Sequence, residues 1–589
     1  MEILRGIGVT PGYAIGEAFV FEREDVLVRG RFVGADEIEK EVKRFEGSVA
    51  KVTQEIDEMR ERVRGDLGEN ASSIFESYRW IAADPVFKDE VIRRIRNNRF
   101  TAEYSVDRSF NRLIRRLSSI QNPYMRQRVG DIEDLEKRFL AALSGERTVS
   151  VGQVDRPVVI VGHDLTPSQL ATMDRTRVLG IVTDVGGRTS HVAIMARDYG
   201  IPAVVGLETA GLDVTAGDIV VVDGTRGFVI IDPDEDTLDK YRNLEQQFIG
   251  YEIELAKKSQ ARITTQDGVP VSVLANMEFP EEIDAVLENG ADGVGLFRTE
   301  FLYLAADRIP TEEEHARVYR TVAEKMGGRP LVIRTFDLGA DKLTSQDAKE
   351  FGRERNPALG LRGVRLYRVR PEAFRSQVAA IYRASAYGAV QLMIPMVSTL
   401  EDVVWVRERC QEVQQDLVRR GEKFTADMPV GAMIETPAAV MVAEIIAGQV
   451  SFFSIGTNDL VQYTLAVDRA NERVAQDFEP LNPSVVRMVQ QVLKVAAEQG
   501  IPAAMCGEMA GDVAVVALLL GLGLRNFSVS PSSIPEIKAV LGGMTVKRAE
   551  EVAREVLKLH AIQEIRSYME SVDKELVPEM LRRGPGRYH

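Results

Sequence analysis

Eight short apolar segments recur between residues 262 and 575, each running into polar or charged residues and most followed by helix-forming sequence. They are 271–278, 293–300, 331–338, 390–397, 430–436, 452–459, 503–508 and 526–530. A strand–helix unit repeated eight times predicts a (β/α)8 barrel, and the C-terminal ends of barrel strands are where such folds carry their chemistry. Asn276, Glu278, Arg298, Glu300, Arg334, Asp337, Glu435, Asn458, Asp459, Cys506 and Glu508 fall at those ends, with Lys342, Arg355, Arg362 and Arg469 in the loops just beyond. Charges so concentrated are costly to bury without a partner. Several arginines and a lysine at one mouth suit a small, highly anionic ligand, because the guanidinium fork matches carboxylate and phosphate. Glu435 and Asp459 offer hard oxygen ligands of the kind Mg²⁺ takes alongside substrate oxygens and water; a salt-bridged pair is the plainer alternative. Cys506 at the mouth can serve as a proton donor to carbon or as inert packing, whereas Cys410 reads as packing.

The remainder of the chain divides differently. From 38 to 63 the apolar positions Ile38, Val42, Phe45, Val49, Val52, Ile56, Met59 and Val63 alternate steps of four and three, the seam of a helix lying along another helix. Helical sequence continues through 86–95, 102–120 and 125–143, with breaks expected at 65–68 and 121–123, and predicts a helical bundle. Ile74-Phe75-Glu76 and Trp80-Ile81 beside Glu69 and Asp84 mix apolar and acidic groups in a way that suits a small basic protein. Core packing is the alternative for any one of them. From Pro157 short β-branched runs, 158–161, 178–183, 203–206, 218–222 and 227–231, describe a compact α/β unit. Residues 237–261 read as a connecting helix with Leu238, Tyr241, Leu244 and Phe248 on one face.

Within the α/β unit, residues 184–197 read Asp-Val-Gly-Gly-Arg-Thr-Ser-His-Val-Ala-Ile-Met-Ala-Arg. Two glycines allow a tight turn, and the apolar stretch after His191 is helix-forming, so His191 is expected where a turn becomes a helix. Free N–H groups and the positive dipole end gather there, which equips a histidine to take up a phosphoryl group. A structural or metal-binding histidine is the alternative. Arg188 adds a cation beside it, and Thr166 in the preceding His163–Ser168 turn is placed to orient the imidazole.

Composition excludes several classes. The net charge of −15 over 589 residues argues against broad nucleic-acid binding. Two cysteines leave no disulfide framework and point to a reducing cytoplasm. No apolar run long enough to span a bilayer is found, so no membrane insertion is expected.

The His191 segment, Gly-Val-Gly-Leu-Phe-Arg-Thr-Glu-Phe-Leu (293–302), Ile-Gly-Thr-Asn-Asp-Leu (455–460) and Met-Cys-Gly-Glu-Met-Ala (505–510) together resemble the PEP-utilising enzyme family, in particular its enzyme I branch in the bacterial phosphotransferase system. The resemblance extends over the whole chain. It implies a multidomain α/β protein, with a helical bundle and a swivelling phosphohistidine domain ahead of a TIM-type barrel. The implied divisions are 1–20 with 145–233 (phosphohistidine), 21–144 (helical, binding the phosphocarrier HPr), 234–261 (linker helix), 262–575 (phosphoenolpyruvate-binding barrel and homodimer interface) and 576–589 (tail). It further implies that His191 accepts the phosphoryl group of phosphoenolpyruvate, releasing pyruvate, and that Arg298, Arg334, Asn458 and Arg469 grip the substrate. Lys342 and Arg362 would support the phosphate, Glu435 and Asp459 would hold Mg²⁺, and Cys506 would protonate the enolate. Hinges are expected near 152–154 and 231–237. A synthase or dikinase would need an ATP-grasp domain, and the N-terminal third lacks a phosphate-cradling glycine loop.

Overall fold

The structure is a computed structural model. It describes the chain except residues 22–31, 35, 68–77, 80, 119–122, 145–155, 166–168, 171–172, 175, 188–189, 208, 307, 340–355, 470, 472–473, 579–580 and 582–589. For residues 62–67, 115–118, 123–131, 133, 191, 194, 198, 212, 252 and 304–306 it describes the backbone alone. By contacts the chain falls into two units, one of Met1–Gly250 and one from Tyr251 onward.

The first unit holds a bundle and a sheet. Helices Ile38–Leu67, Pro85–Asn98, Ala102–Ser118 and Pro123–Ser144 form the bundle. The alternating apolar seam is its core: Val42, Phe45, Val49, Val52, Ile56 and Met59 are all buried. Phe45, Phe87, Phe110 and Phe139 meet at its centre, with the Phe87 and Phe110 rings 4.6 Å apart. The first helix runs on through Gly65 to Leu67, where a break was expected from 65, since one glycine costs a helix only about 1 kcal/mol; residue 68 lies outside the described residues. Asp84 caps the second helix by accepting the Val86 N–H at 2.8 Å, while Glu69, Trp80 and the Ile74-Phe75-Glu76 segment lie outside the described residues.

Among the described residues the sheet has eight strands: β1 (Glu2–Arg5), β2 (Ile7–Thr10), β3 (Tyr13–Phe21), β4 (Val158–Gly162), β5 (Val178–Thr183), β6 (Ala203–Val205), β7 (Ile219–Asp223) and β8 (Phe228–Ile231). Their order is β1-β8-β7-β3-β4-β5-β6-β2, with β3 to β6 mutually parallel. Apolar residues are buried on both faces, as a parallel centre requires. The three N-terminal strands are a structural addition, since that segment gave no strand pattern of its own. Helix Glu235–Ser259 follows, with Tyr241 and Phe248 each 5.9 Å from the Tyr13 ring and the Tyr241 hydroxyl donating to Asp223 at 3.1 Å. Of the expected hinges, 152–154 lie outside the described residues, and in 231–237 Asp232 has a positive φ of 48°.

In the second unit, strands β10 (Pro270–Met277), β11 (Val294–Phe297), β12 (Leu331–Arg334), β13 (Val390–Ile394), β14 (Val430–Ile434), β15 (Phe453–Ile455), β16 (Ala503–Met505) and β17 (Asn526–Val529) pair in parallel, and β17 closes on β10. A short β9 (Ile263–Thr264) adds antiparallel to β10. All eight expected strands are present, but most are shorter than the apolar segments suggested. The polar residues counted as strand ends therefore sit mostly in the loops above. Asn458 and Asp459 depart furthest: they lie in the first turn of helix Thr457–Leu465, which starts directly after β15. Leu296, Val332, Met393, Met433, Phe452 and Cys506 fill the barrel interior.

Candidate functional site

The barrel mouth is organised by paired charges. Strand β12 ends on Arg334, whose guanidinium donates to Glu300 Oε1 at 2.8 Å and lies 3.6 Å from Asp337. The same Glu300 accepts the Asp337 N–H at 2.7 Å and the Thr299 N–H at 3.0 Å, so one carboxylate binds the ends of two neighbouring strands together. Asp337 receives a forked pair from Arg362, at 2.7 and 3.0 Å, and Arg362 also reaches Asp459 at 3.4 Å and the Tyr463 hydroxyl at 3.2 Å. Tyr463 in turn donates to the Ala358 carbonyl. Sequence reasoning missed Tyr463, whose only signal is its place one helical turn beyond Asp459.

Burial would push these groups toward neutrality, but the pairing prevails. Burial raises the Asp337 carboxyl, and the hydrogen bond from Arg362 with the charges of Arg334 and Arg362 brings it below the usual carboxylate value. Burial likewise lowers both arginines, and their carboxylate partners return them above the ordinary guanidinium value. Arg334 keeps one buried donor, Nε, with no hydrogen-bond partner among the described residues. A buried donor left in that state is costly.

A second, more open tier of cations surrounds this one. Arg298 lies 3.8 Å from Glu278, and Arg469 lies 3.7 Å from Glu508; both arginine side chains are more than 40% exposed. Asn458 and Glu508 are bonded twice, side chain to side chain at 2.9 Å and backbone N–H to amide oxygen at 3.0 Å. The loop carrying Cys506 approaches this helix so closely that a Cβ on Gly507 would stand 1.9 Å from Thr457 Oγ1, and only glycine fits. Cys506 is buried at the top of the barrel interior, accepts a hydrogen bond from Ser454 at 3.2 Å, and has its thiol pKa raised by burial. It therefore holds its proton at neutral pH. Cys410 is buried within helix Leu400–Arg420 and pushed up to about 12, in keeping with a packing role.

Glu435, the first residue after β14, is buried and accepts the Met396 N–H at 2.6 Å. Burial, then the charges of Asp459 and Asp337, raise its carboxyl well above the ordinary range. Crowded carboxylates of this kind gain from a divalent cation. Among the described residues no three His, Cys, Asp or Glu side chains form a closed metal site. Two carboxylates completed by substrate oxygens and water are the donor set that suits Mg²⁺.

In the first unit, parallel strand β5 ends at Thr183 and the chain turns through Gly186 (φ 118°) into helix His191–Tyr199. Ser190 is the N-cap, its Oγ accepting the Ala193 N–H at 3.2 Å, and Gly200 closes the helix in the left-handed conformation. His191 is thus the first residue of a helix at the carboxyl end of a parallel strand, where the free N–H groups and the dipole favour an anion. Buried Asp184 accepts the Gly211 N–H at 3.0 Å and lies 3.3 Å from His163 Nδ1, a contact across strand ends that the sequence did not foretell. Thr166, Arg188 and Lys342 lie outside the described residues, as does Arg355, and of His191 only the backbone is described.

A parallel-strand barrel with an anion-receptive mouth, joined to an α/β unit with a histidine at a helix start, defines a phosphoryl-transfer protein class, and the comparisons with known proteins agree. Family models described as PEP-utilising enzyme match at residues 5–128 (N-terminal), 154–227 (mobile domain) and 252–546 (PEP-binding domain). The chain belongs to the PEP-utilising enzyme family. Within it the chain groups with the phosphoenolpyruvate–protein phosphotransferases and is an enzyme. It is 40% identical over 566 residues to that of Bacillus sp. (strain S), covering 96% of this chain and 97% of the relative. Identity is 39% over 566 residues to that of Geobacillus stearothermophilus (96% and 97% covered) and 37% over 574 residues to that of Bacillus subtilis (98% and 100% covered).

Proposed function

We propose that this enzyme moves the phosphoryl group of phosphoenolpyruvate to His191, releasing pyruvate, and then to a histidine of the carrier HPr, the first step of sugar uptake by a phosphotransferase system. The reading rests above all on Arg334, a buried, permanently charged guanidinium fixed by two carboxylates with one donor left over. Arg298, Arg334, Asn458 and Arg469 grip the substrate, and Arg362, with Lys342, supports its phosphate side. Charge neutralisation and in-line positioning are what phosphoryl transfer most needs from a protein. Glu435 and Asp459 would hold Mg²⁺, which when bound neutralises phosphoryl oxygens. Neutral His191 attacks phosphorus and pyruvate leaves as its enolate, which takes the Cys506 proton at carbon. Thr166 and Arg188 orient and attend the imidazole.

The division into a phosphohistidine domain (1–20 and 145–233), a carrier-binding bundle (21–144), a linker (234–261), a barrel (262–575) and a tail (576–589) belongs to this reading, as does a homodimer formed through the barrel. Val404, Met441 and Ile445, on outer helices Leu400–Arg420, Pro437–Met441 and Ala443–Ala447 that pack in series, expose aliphatic side chains, which supports such an interface. A cytoplasmic location accords with two free cysteines. Among the described residues no helix is long and apolar enough to cross a membrane.

A coupled assay of pyruvate release tests the proposal. With Mg²⁺ and catalytic enzyme, pyruvate should appear in proportion to added HPr and stop once HPr is fully phosphorylated. Pyruvate release that ignores HPr but requires AMP and phosphate, with ATP formed, would overturn it.

A further inference from the structure

Behind the Arg334 loop lies a buried polar chain with no part in the chemistry described above. Gln377, on helix Pro371–Ala384, is fully buried, as are Thr299 and His315. Its Oε1 accepts the Phe336 N–H at 3.0 Å, and its Nε2 donates to Thr299 Oγ1 at 2.8 Å and to the Tyr319 hydroxyl at 3.0 Å. A backbone N–H can only donate, so the atom facing Phe336 must be the amide oxygen, and this fixes the orientation of the whole amide. Both amide hydrogens are then committed. Thr299, having accepted one, donates its own to the Arg334 carbonyl at 2.9 Å. Tyr319 is also bonded to His315 Nδ1 at 2.9 Å. Burial lowers the His315 pKa to about 3, so the ring is neutral. Through Thr299 the chain runs in one sense, from Gln377 to the Arg334 carbonyl.

Thr299 and Phe336 belong to two different loops, one after β11 that carries Arg298 and Glu300, and one after β12, which ends on Arg334, that carries Asp337. Resting on the function proposed above, we infer that Thr299 and Gln377 are positioning residues for substrate binding. They hold the Arg334 main chain in the register at which its guanidinium meets both Glu300 and the substrate. Neither residue touches the substrate. Their effect is exerted through Arg334, and small misplacements of a gripping group are expensive in rate.

The test is steady-state pyruvate release by the full-length enzyme with phosphoenolpyruvate varied, for wild type, Thr299→Val, Thr299→Ser and Gln377→Leu. Thr299→Val keeps the shape and removes the hydroxyl. It should raise KM for phosphoenolpyruvate by about ten- to hundredfold. Thr299→Ser, which restores the donor, should return KM to within about threefold of wild type, a rescue that loss of methyl packing would not give. Gln377→Leu should match or exceed the valine effect. The phosphoryl step from labelled His191 to HPr, run in the same variants, should be unchanged, because it does not use the barrel mouth. Wild-type KM in Thr299→Val, or a serine variant as impaired as the valine one, would overturn the inference and leave the function standing. A wild-type enzyme that never releases pyruvate from phosphoenolpyruvate would remove both.

Discussion

The barrel mouth and the His191 turn both stand at the carboxyl ends of parallel strands, yet they are built to meet anionic charge in different ways. At the mouth, Arg334 and Arg362 are buried and locked to Glu300 and Asp337, with Arg298 and Arg469 in a looser outer tier. At the turn, the structure provides helix-start N–H groups, a serine cap and a glycine-permitted bend. Fixed guanidinium charges in a water-poor pocket bind strongly and cannot be discharged. A helix start supplies only a fraction of a charge and holds an anion lightly. The first arrangement suits a site that must seize a small, dense anion; the second suits a residue that must receive a phosphoryl group and give it away.

If that contrast holds, damage at the mouth should cost stability and binding together, and damage at the turn should cost little stability. The largest effect should come from Arg334→Met. It leaves Glu300 and Asp337 without a shared cation in a buried place, which typically destabilises by about 3–5 kcal/mol. Denaturant unfolding of the barrel transition should show that loss, alongside a fall in kcat/KM of at least about a hundredfold. Glu435→Gln should separate the two consequences. Relieving the carboxylate crowding should leave the barrel at least as stable as wild type, while pyruvate release loses its response to added Mg²⁺.

At neutral pH a smaller effect is expected from the buried imidazole, which acts only as pH falls. His315 in the folded barrel resists protonation until about pH 3, whereas the unfolded chain takes the proton near its ordinary value of about 6.5. Its stabilising contribution is therefore complete above about pH 6.5 and is lost as pH falls from there toward 3. Between those values wild type should lose up to about 1.4 kcal/mol per pH unit relative to His315→Gln, read as the difference between their unfolding curves. The smallest effect belongs to the turn. Ser190→Ala removes the cap on the His191 helix and should cost roughly 1 kcal/mol, visible as faster amide exchange at the helix start.

What could be read from the sequence, and what could not, follows the range of the interactions. The bundle seam and the eight barrel segments are local patterns, and each recurs in the structure as helix or strand. The turn-to-helix change at His191 was equally local. The three N-terminal strands were not, because β1 pairs with β8 and β2 with β6, partners about two hundred residues away. Asn458 and Asp459 were assigned to a strand end because the apolar run gave no sign that β15 stops after three residues, at Ile455. The arginines were identifiable as a group, but not their partners: Glu300, Arg334, Asp337 and Arg362 meet only once neighbouring strands are aligned. Gln377 lacked any sequence signal of its importance and Tyr463 had only its spacing from Asp459, since a glutamine or tyrosine on an amphipathic helix looks the same whether it faces water or a buried amide.

The most direct measurement is to map the phosphoryl group after a single turnover. The full-length enzyme and His191→Ala would each be mixed with phosphoenolpyruvate and Mg²⁺, held at alkaline pH to preserve phosphohistidine, and digested for mass spectrometry. The function proposed above predicts one added phosphoryl group on wild type, lost on acid treatment and located at residue 191. It predicts none on the variant, with binding of phosphoenolpyruvate to the variant unchanged. A phosphoryl group on any other residue, or one that persists in His191→Ala, would contradict the assignment of binding to the barrel mouth and transfer to the helix start.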